Sequence, residues 1–313
     1  MVNERNIKMT DKKVAIVLST YNGEKYIEKQ LESLVNQTYK NIDIYIRDDG
    51  SKDKTTEIIE KYESKYNNIK LIKANNVGLV NSFYEGLKSA FETGDYFAYC
   101  DQDDYWHQDK IERAIEKLEY SNNNTPTVLF TEFNYCDANL EFVEKSNMNK
   151  KGTSFKNSLV ECIASGNTMV FNKKMAKLIL ETNTQNVCLH DWWLYMIATG
   201  IGNIIYDPEP SLEYRRTGNN VTPGGRGFLK LQIFRIKKFL FGDYLKKVKK
   251  QIQKYDENFH NELSEENQKL INLFIKDGYH INIVLKKVYY PKMFRQNLLD
   301  ELLIRFIFLI GKL

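Results

Sequence analysis

Short apolar runs alternate with segments of helical period through the first 120 residues, and this rhythm leaves few folds open. Val14–Leu18 is wholly apolar and rich in β-branched residues, as expected for a strand buried on both faces. Residues 24–36 then place Tyr26, Ile27, Leu31, Leu34 and Val35 at helical spacing. The alternation continues with strand-like Ile42–Ile46, helical Thr55–Tyr66, strand-like Ile69–Lys73, helical Leu79–Phe91, strand-like Tyr96–Cys100 and helical Lys110–Leu118. Four successive β–α units imply a mostly parallel sheet flanked by helices, an α/β architecture. Beyond Thr127 the pattern loosens. Val128–Phe133, Thr168–Phe171, Ile204–Tyr206 and Leu212–Arg215 read as strands, and Lys173–Glu181 and Asp191–Thr199 as helices. A chain of 313 residues has room for one such domain and an appendage. Residues 219–227 (NNVTPGGRG) carry three Gly and one Pro, the composition of a linker. The expected division is an α/β domain over 1–222 and a basic, mostly helical region over 223–313.

The net charge of +4 is too small to imply nucleic acid, but its distribution is uneven. Phe228–Leu313 holds 17 Lys or Arg and 9 acids, a net of +8, which leaves −4 for the remainder. The tail has no RNA-binding signature and no DNA-binding motif, so nucleic acid is not an expected partner. Within Lys230–Lys250, eight cations face one acid, Asp243, and alternate with Ile233, Phe234, Ile236, Phe239 and other apolar residues. Residues 228–250 and 298–313 therefore suit an anionic membrane surface. A helical lid or a homodimer contact with a basic outer face is the competing reading. Met1–Lys13 is polar and no stretch of about 18 apolar residues occurs, so neither a signal peptide nor a membrane span is expected. Cys100, Cys136, Cys162 and Cys188 are too scattered for a zinc site or a disulfide framework, and Cys100 and Cys162 sit in apolar contexts as buried thiols. The expected location is the cytoplasm, with peripheral attachment to the inner membrane face as its extension.

Open parallel sheets bind ligands beyond the carboxyl ends of their strands. The residues that follow the first, second and fourth strands are Ser19-Thr20-Tyr21-Asn22-Gly23, Asp48-Asp49-Gly50-Ser51 and Asp101-Gln102-Asp103-Asp104. Carboxylates crowded in this way repel one another unless protons or a cation neutralise them. Oxygen-only ligands suit Mg²⁺ or Mn²⁺, which commonly bridge to substrate phosphates. Asp103 or Asp104 as a cap on the helix near Asp109 is the structural alternative. The chain lacks GxxxxGK[ST] and GxGxxG, so ATPase and dinucleotide readings lose their usual support.

Seven segments in order carry a resemblance: VAIVLSTYNGEKYIEKQLESLVNQTY (14–39), IYIRDDGSKDKT (44–55), NNVGLVNSFYEGL (75–87), YFAYCDQDDYWHQDKI (96–111), GNTMVFN (166–172), HDWW (190–193) and YRRTGNN (214–220). Together they resemble the family 2 glycosyltransferases of GT-A fold, and the CDQDDYW form resembles a bacterial rhamnosyltransferase-like branch. The resemblance implies an inverting transfer of a sugar from a UDP- or dTDP-sugar to a hydroxyl of a glycan acceptor, lipid-linked acceptors included. It places Ser19, Tyr21 and Asn22 beside the nucleotide, with the Tyr21 ring stacked on the base. Asp49 would accept the N3–H of uracil or thymine, and Asn81 would approach the nucleotide. Asp103 would bind the divalent cation, with Asp101 on the ribose or beside the metal. Asp191 would be the general base, or alternatively only an N-cap of its helix. Trp192 and Trp193 are either an acceptor wall or plain core, and Gly166-Asn167 either makes room for substrate or is a turn. Relatives commonly end this region with Tyr-Arg-Gln-His, whereas here Tyr214-Arg215-Arg216-Thr217 stands, and Arg215 would supply the positive charge. A non-catalytic sugar-nucleotide-binding subunit on the same fold is the alternative function.

Overall fold

The computed structural model describes residues 11–121, 124–216, 242–276 and 278–313. Strands β1 (Val14–Thr20), β2 (Ile42–Asp48), β3 (Ile69–Lys73) and β4 (Tyr96–Cys100) alternate with helices α1 (Ile27–Val35), α2 (Thr55–Lys65) and α3 (Leu79–Ala90). β1 pairs in parallel with β2 and β4, and β2 with β3, as the alternating pattern predicts. Val14–Leu18 has no exposed side chain because helices cover both faces of the sheet. After β5 (Tyr105–Trp106) and α4 (Lys110–Glu119) come β6 (Thr127–Thr131), β7 (Asn134–Cys136), β8 (Phe142–Lys145) and α5 (Phe155–Ser158). They are followed by β9 (Val170–Asn172), α6 (Lys173–Glu181), α7 (His190–Ile201), β10 (Asn203–Asp207) and β11 (Leu212–Arg215). The main sheet runs β10-β6-β9-β4-β1-β2-β3, with β9 antiparallel to both of its neighbours.

Leu212–Arg215 is a strand but not one of this sheet. It joins a second sheet, β5-β11-β7-β8, in which Leu212 pairs with Trp106 and Arg215 with Cys136. That pairing sets Arg215 beneath the loop after β4. The expected strand Thr168–Phe171 begins later, because Gly166–Thr168 forms a 3-10 turn.

The C-terminal part contains α8 (Tyr244–Phe259), α9 (Glu265–Ile275), α10 (Ile281–Val288) and α11 (Leu298–Leu309). Ile252, Tyr255 and Phe259 of α8 lie in one apolar cluster with Trp192 and Trp193 of α7, and Phe274, Phe294 and Phe308 extend it. Among the described residues no helix is long and apolar enough to cross a membrane. The linker at 219–227, Thr217 and most of the basic stretch 228–250 lie outside the described residues. All four cysteines are free thiols. Cys100 is buried, but Cys162 is only partly so, since it sits in the loop before Gly166.

Candidate active site

The loops after β1 and β2 are laced together. Gly23 N–H donates to Thr55 Oγ1 at 2.7 Å, Asn22 N–H to Ser51 Oγ at 2.9 Å, and Lys52 N–H to Asn22 Oδ1 at 2.9 Å. Asn22 has φ of 49°, a left-handed conformation that asparagine tolerates better than most residues. Asp48 accepts from Thr20 Oγ1 and from the N–H groups of Gly50 and Ser51, so it is spent on its own turn.

Asp49 is buried and ion-paired with Arg47, and it accepts Val77 N–H at 2.9 Å and Gly78 N–H at 3.0 Å. A carboxylate offers about four acceptor positions. Three are filled internally, which pins the loop after β3 and leaves one unfilled. Ser19 Oγ donates to Ser82 Oγ at 2.7 Å, and Ser82 Oγ also accepts Arg47 Nη1 at 3.1 Å. Asn81 donates to the Val77 carbonyl at 2.9 Å and accepts from Thr184, so its amide ties α3 to the loop before α7. Tyr21 stands in the loop after β1, 46% exposed. Gln102 grips its backbone from across the cleft, accepting Tyr21 N–H at 2.9 Å and donating to Tyr21 C=O at 3.2 Å.

The acids after β4 divide by role. Asp104 is buried, bonded by Asn167 Nδ2 and by Arg215 N–H, and burial with the neighbouring Asp103 pushes it up to about 7. It does not cap α4, whose N-cap is Asp109. The Asp101 carboxyl receives no side-chain or backbone hydrogen bond among the described residues, although its carbonyl accepts Cys100 Sγ at 3.3 Å. Burial, then Asp104, Asp103 and Asp191, hold its carboxyl well above the usual range. Burial also raises Asp103, against the pull of its own N–H and of Arg215. Arg215 is itself only 4% exposed. Its Nε donates to the Asp103 carbonyl at 2.8 Å, its Nη1 to the Ala138 carbonyl at 2.6 Å, and the guanidinium lies 4.7 Å from the Tyr26 ring centroid. It braces the acid loop from below. Arg216 pairs with Glu144 at 2.9 Å.

Asp191 lies in the first turn of α7, half-buried. Its Oδ1 accepts Trp192 N–H at 2.7 Å and its Oδ2 accepts Gly166 N–H at 3.3 Å. A Cβ on Gly166 would stand 2.6 Å from His190 Nε2 and 3.3 Å from Asp191 Cβ. The missing side chain therefore makes room for His190 and Asp191, not for substrate. His190 stacks on Phe83 at 3.8 Å, and burial lowers its pKa, which keeps the imidazole neutral. Trp192 and Trp193 are core residues, 2% and 3% exposed, with their N–H groups on the Ser158 carbonyl and Thr182 Oγ1. The space between Tyr84, Tyr99, His190 and Trp193 measures about 20 Å³, too small for a sugar.

Four residues support the site in ways the sequence reading did not assign. Lys110 is buried at the start of α4 and donates to the Asn167 carbonyl at 2.6 Å and to Ser211 Oγ at 3.2 Å. Burial draws its pKa down to about 7. Arg47, Gln102 and Asn167 are the others. Their types and spacing resemble surface residues, and only the pairing of loops gives them partners.

Among the described residues, no group of three His, Cys, Asp or Glu side chains forms a ready cation cage. Asp101 and Asp103, crowded and short of donors, nonetheless fit a hard divalent cation that takes its remaining oxygens from water and a diphosphate. A mostly parallel α/β sheet with an Asp-Gln-Asp loop at its carboxyl edge and a helix-borne carboxylate facing it defines a glycosyltransferase of the GT-A class. The chain belongs to Glycosyl transferase family 2, which matches residues 15–180. It is 33% identical over 214 residues to the dTDP-rhamnosyl transferase RfbG of Shigella flexneri, a match covering 65% of this chain and 72% of that one. An uncharacterized glycosyltransferase of Haemophilus influenzae is 29% identical over 228 residues, 67% of either chain. S. aureus TarS 1-349 in complex with UDP superposes with a TM-score of 0.55 at 19% identity, covering 83% of this chain and 86% of that one. Mannosyltransferase PcManGT from Pyrobaculum calidifontis, in complex with GDP-Man and Mn²⁺, gives 0.55 at 14% identity, covering 89% and 71%. The fold is GT-A, and the protein is a nucleotide-sugar glycosyltransferase.

Proposed function

We propose that this enzyme moves a sugar from a UDP- or dTDP-sugar to a hydroxyl of a glycan acceptor in a single inverting displacement. The observation that carries the reading is the convergence of Asp101, Asp103 and Asp191. Two of these carboxylates are held above their usual pKa, and the third sits on a rigid helix start. Asp103 and Asp101 would hold Mn²⁺ or Mg²⁺, which when bound supplies charge neutralisation for the departing nucleoside diphosphate. Tyr21 offers its exposed ring to the base, and the fourth acceptor position of Asp49 suits the N3–H of uracil or thymine, not cytosine. Asp191, fixed by two backbone N–H groups, takes the proton of the acceptor hydroxyl as that oxygen attacks the anomeric carbon. The name of the Shigella relative supports a dTDP donor, and the UDP held by TarS supports the other pyrimidine nucleotide.

The test is nucleotide release across a panel of donors and acceptors with Mn²⁺ or Mg²⁺, together with the anomeric configuration of the product. Asp103→Asn is expected to abolish transfer and the cation's effect on nucleotide affinity. Asp191→Asn is expected to abolish transfer while nucleotide binding persists. Wild-type turnover by Asp191→Asn, or a product with retained configuration, overturns the mechanism.

A further inference from the structure

The last two helices bury two acids and expose a run of large apolar side chains. Sixteen large apolar or aromatic side chains are exposed among the described residues, and ten of them lie between Tyr279 and Ile310. On α11, Leu298, Leu302, Phe306 and Leu309 form one stripe at helical spacing, 48–64% exposed. On α10, which packs against α11, Ile281 and Leu285 add to it, with Tyr289 at 77%. A patch of this kind marks an interaction surface.

The charges indicate what covers it. The acids of 278–313 are Asp300 and Glu301, and both are buried, 4% and 2% exposed. Glu301 accepts Phe294 N–H at 2.7 Å, Arg295 N–H at 2.8 Å and Arg305 Nε at 2.6 Å. Every exposed charged side chain of this segment is a lysine: Lys286, Lys292 and Lys312. Tyr279, whose hydroxyl donates to the Leu309 carbonyl at 3.4 Å, leads from the apolar face into a cleft. Lys249, Lys276, Lys287, Lys312 and His280 line that cleft, and no acid does among the described residues, which do not include Asp277. An occupant must therefore be apolar and anionic together. A second copy would bring the same lysines against these. Residues 228–241, which lie outside the described residues, hold Lys230, Arg235, Lys237 and Lys238 and no acid.

We propose that α10 and α11 dock the enzyme on an anionic lipid bilayer. The helices lie in the plane of the interface, with Leu302 and Phe306 entering the acyl boundary and Lys286, Lys292 and the lysine cleft facing headgroup phosphates. Tyr279 and Tyr289 suit the headgroup level.

The experiment is flotation of the full chain with vesicles of phosphatidylcholine alone or mixed with phosphatidylglycerol, at low and high salt. We expect flotation with the mixed vesicles only, weakened by salt. Leu302→Glu with Phe306→Glu should abolish it. Lys286→Ala and Lys292→Ala should each weaken it about fivefold at low salt. Circular dichroism melting and nucleotide binding should be unchanged in each variant. Wild-type protein that fails to float, or that floats equally with neutral vesicles, overturns the proposal. So does flotation of the Glu variant at wild-type level. A sedimentation dimer that Leu302→Glu dissociates, with no vesicle binding, assigns the face to a second copy instead. The readout needs neither donor nor acceptor, so its failure leaves the transfer reading standing.

Discussion

The carboxyl edge of the sheet and the α10–α11 face both break the rule that apolar groups go inside and charges outside, but in opposite senses. At the sheet edge, Asp101 and Asp103 are crowded into partial burial without a full set of donors. At the far end, Glu301 is buried with three donors, while a stripe of apolar side chains from Leu298 to Leu309 is exposed. A fully partnered buried acid is architecture. An incompletely partnered one is a candidate ligand site, because the protein itself offsets its desolvation only in part. The same substitution chemistry at the two ends should therefore separate activity from stability.

The largest effect is expected from Asp191→Asn. Loss of a positioned general base costs about 10²–10⁴ in kcat. The melting temperature should fall only slightly, since the amide oxygen can still accept Trp192 N–H and only the longer 3.3 Å bond from Gly166 N–H is lost. Steady-state kinetics beside a thermal melt checks both halves. Glu301→Ala is the mirror experiment. It leaves Arg305 Nε, Phe294 N–H and Arg295 N–H without this acceptor, which costs about 3–5 kcal/mol of stability. Urea denaturation should show that loss, with kcat per folded molecule unchanged. If Glu301→Ala instead lowers kcat at full stability, the division between the two ends fails.

The next effect is in pH. The carboxyls of Asp101, Asp103 and Asp104 all have folded values above their ordinary range, near 7 for Asp104. Such groups hold protons better in the folded state. The stability they lend is complete below about pH 4 and is lost as pH rises through the folded value. Lys110 acts above that window. Its folded value is lowered to about 7, so the cost of burying its charge is present below that pH and is relieved as pH rises further. Cation-free enzyme should thus lose stability from this cluster between about pH 4 and 7. Mn²⁺ should restore more of it at pH 8 than at pH 5, as melts with and without the ion would show. Equal rescue at both values would place the ion elsewhere.

Why some of this was legible in the chain and some was not follows from the same physics. β1 to β4 are buried on both faces, so a continuous apolar run announces each of them. The small sheet gives no such signal. β5 has two residues and β7 three, and their pairing with β11 is decided only once the main sheet has set the loops in place. The acids after β4 stand out as a cluster, because three carboxylates in four residues are costly anywhere else. Their supports do not stand out. Nothing in the sequence separates Lys110 from a solvated lysine, and nothing in His190-Asp191-Trp192-Trp193 says that Ser158 and Thr182 accept the two indole N–H groups inside the core. Asp49 shows a further limit. Its residue type and position point to a ligand contact, yet most of its acceptor capacity holds the loop after β3.

The smallest expected effect tests the link between two loops of the site. Gln102 bonds both the N–H and the C=O of Tyr21, and a neutral pair of such bonds is worth about 1–2 kcal/mol when partly exposed. It fixes a backbone, not a reacting atom, so it acts through Tyr21. Gln102→Ala should raise the KM for the donor about tenfold and leave kcat within about twofold. Gly23 supplies an independent lever, because a Cβ there would come 2.3 Å from Gln102 Oε1 and displace the amide from Tyr21. Gly23→Ala should therefore copy the Gln102→Ala profile, and combining the two should add little, as expected for residues that share one interaction. If the double variant instead loses affinity as the product of the single losses, Gln102 and Gly23 act separately, and the exposed ring of Tyr21 is not held by this amide.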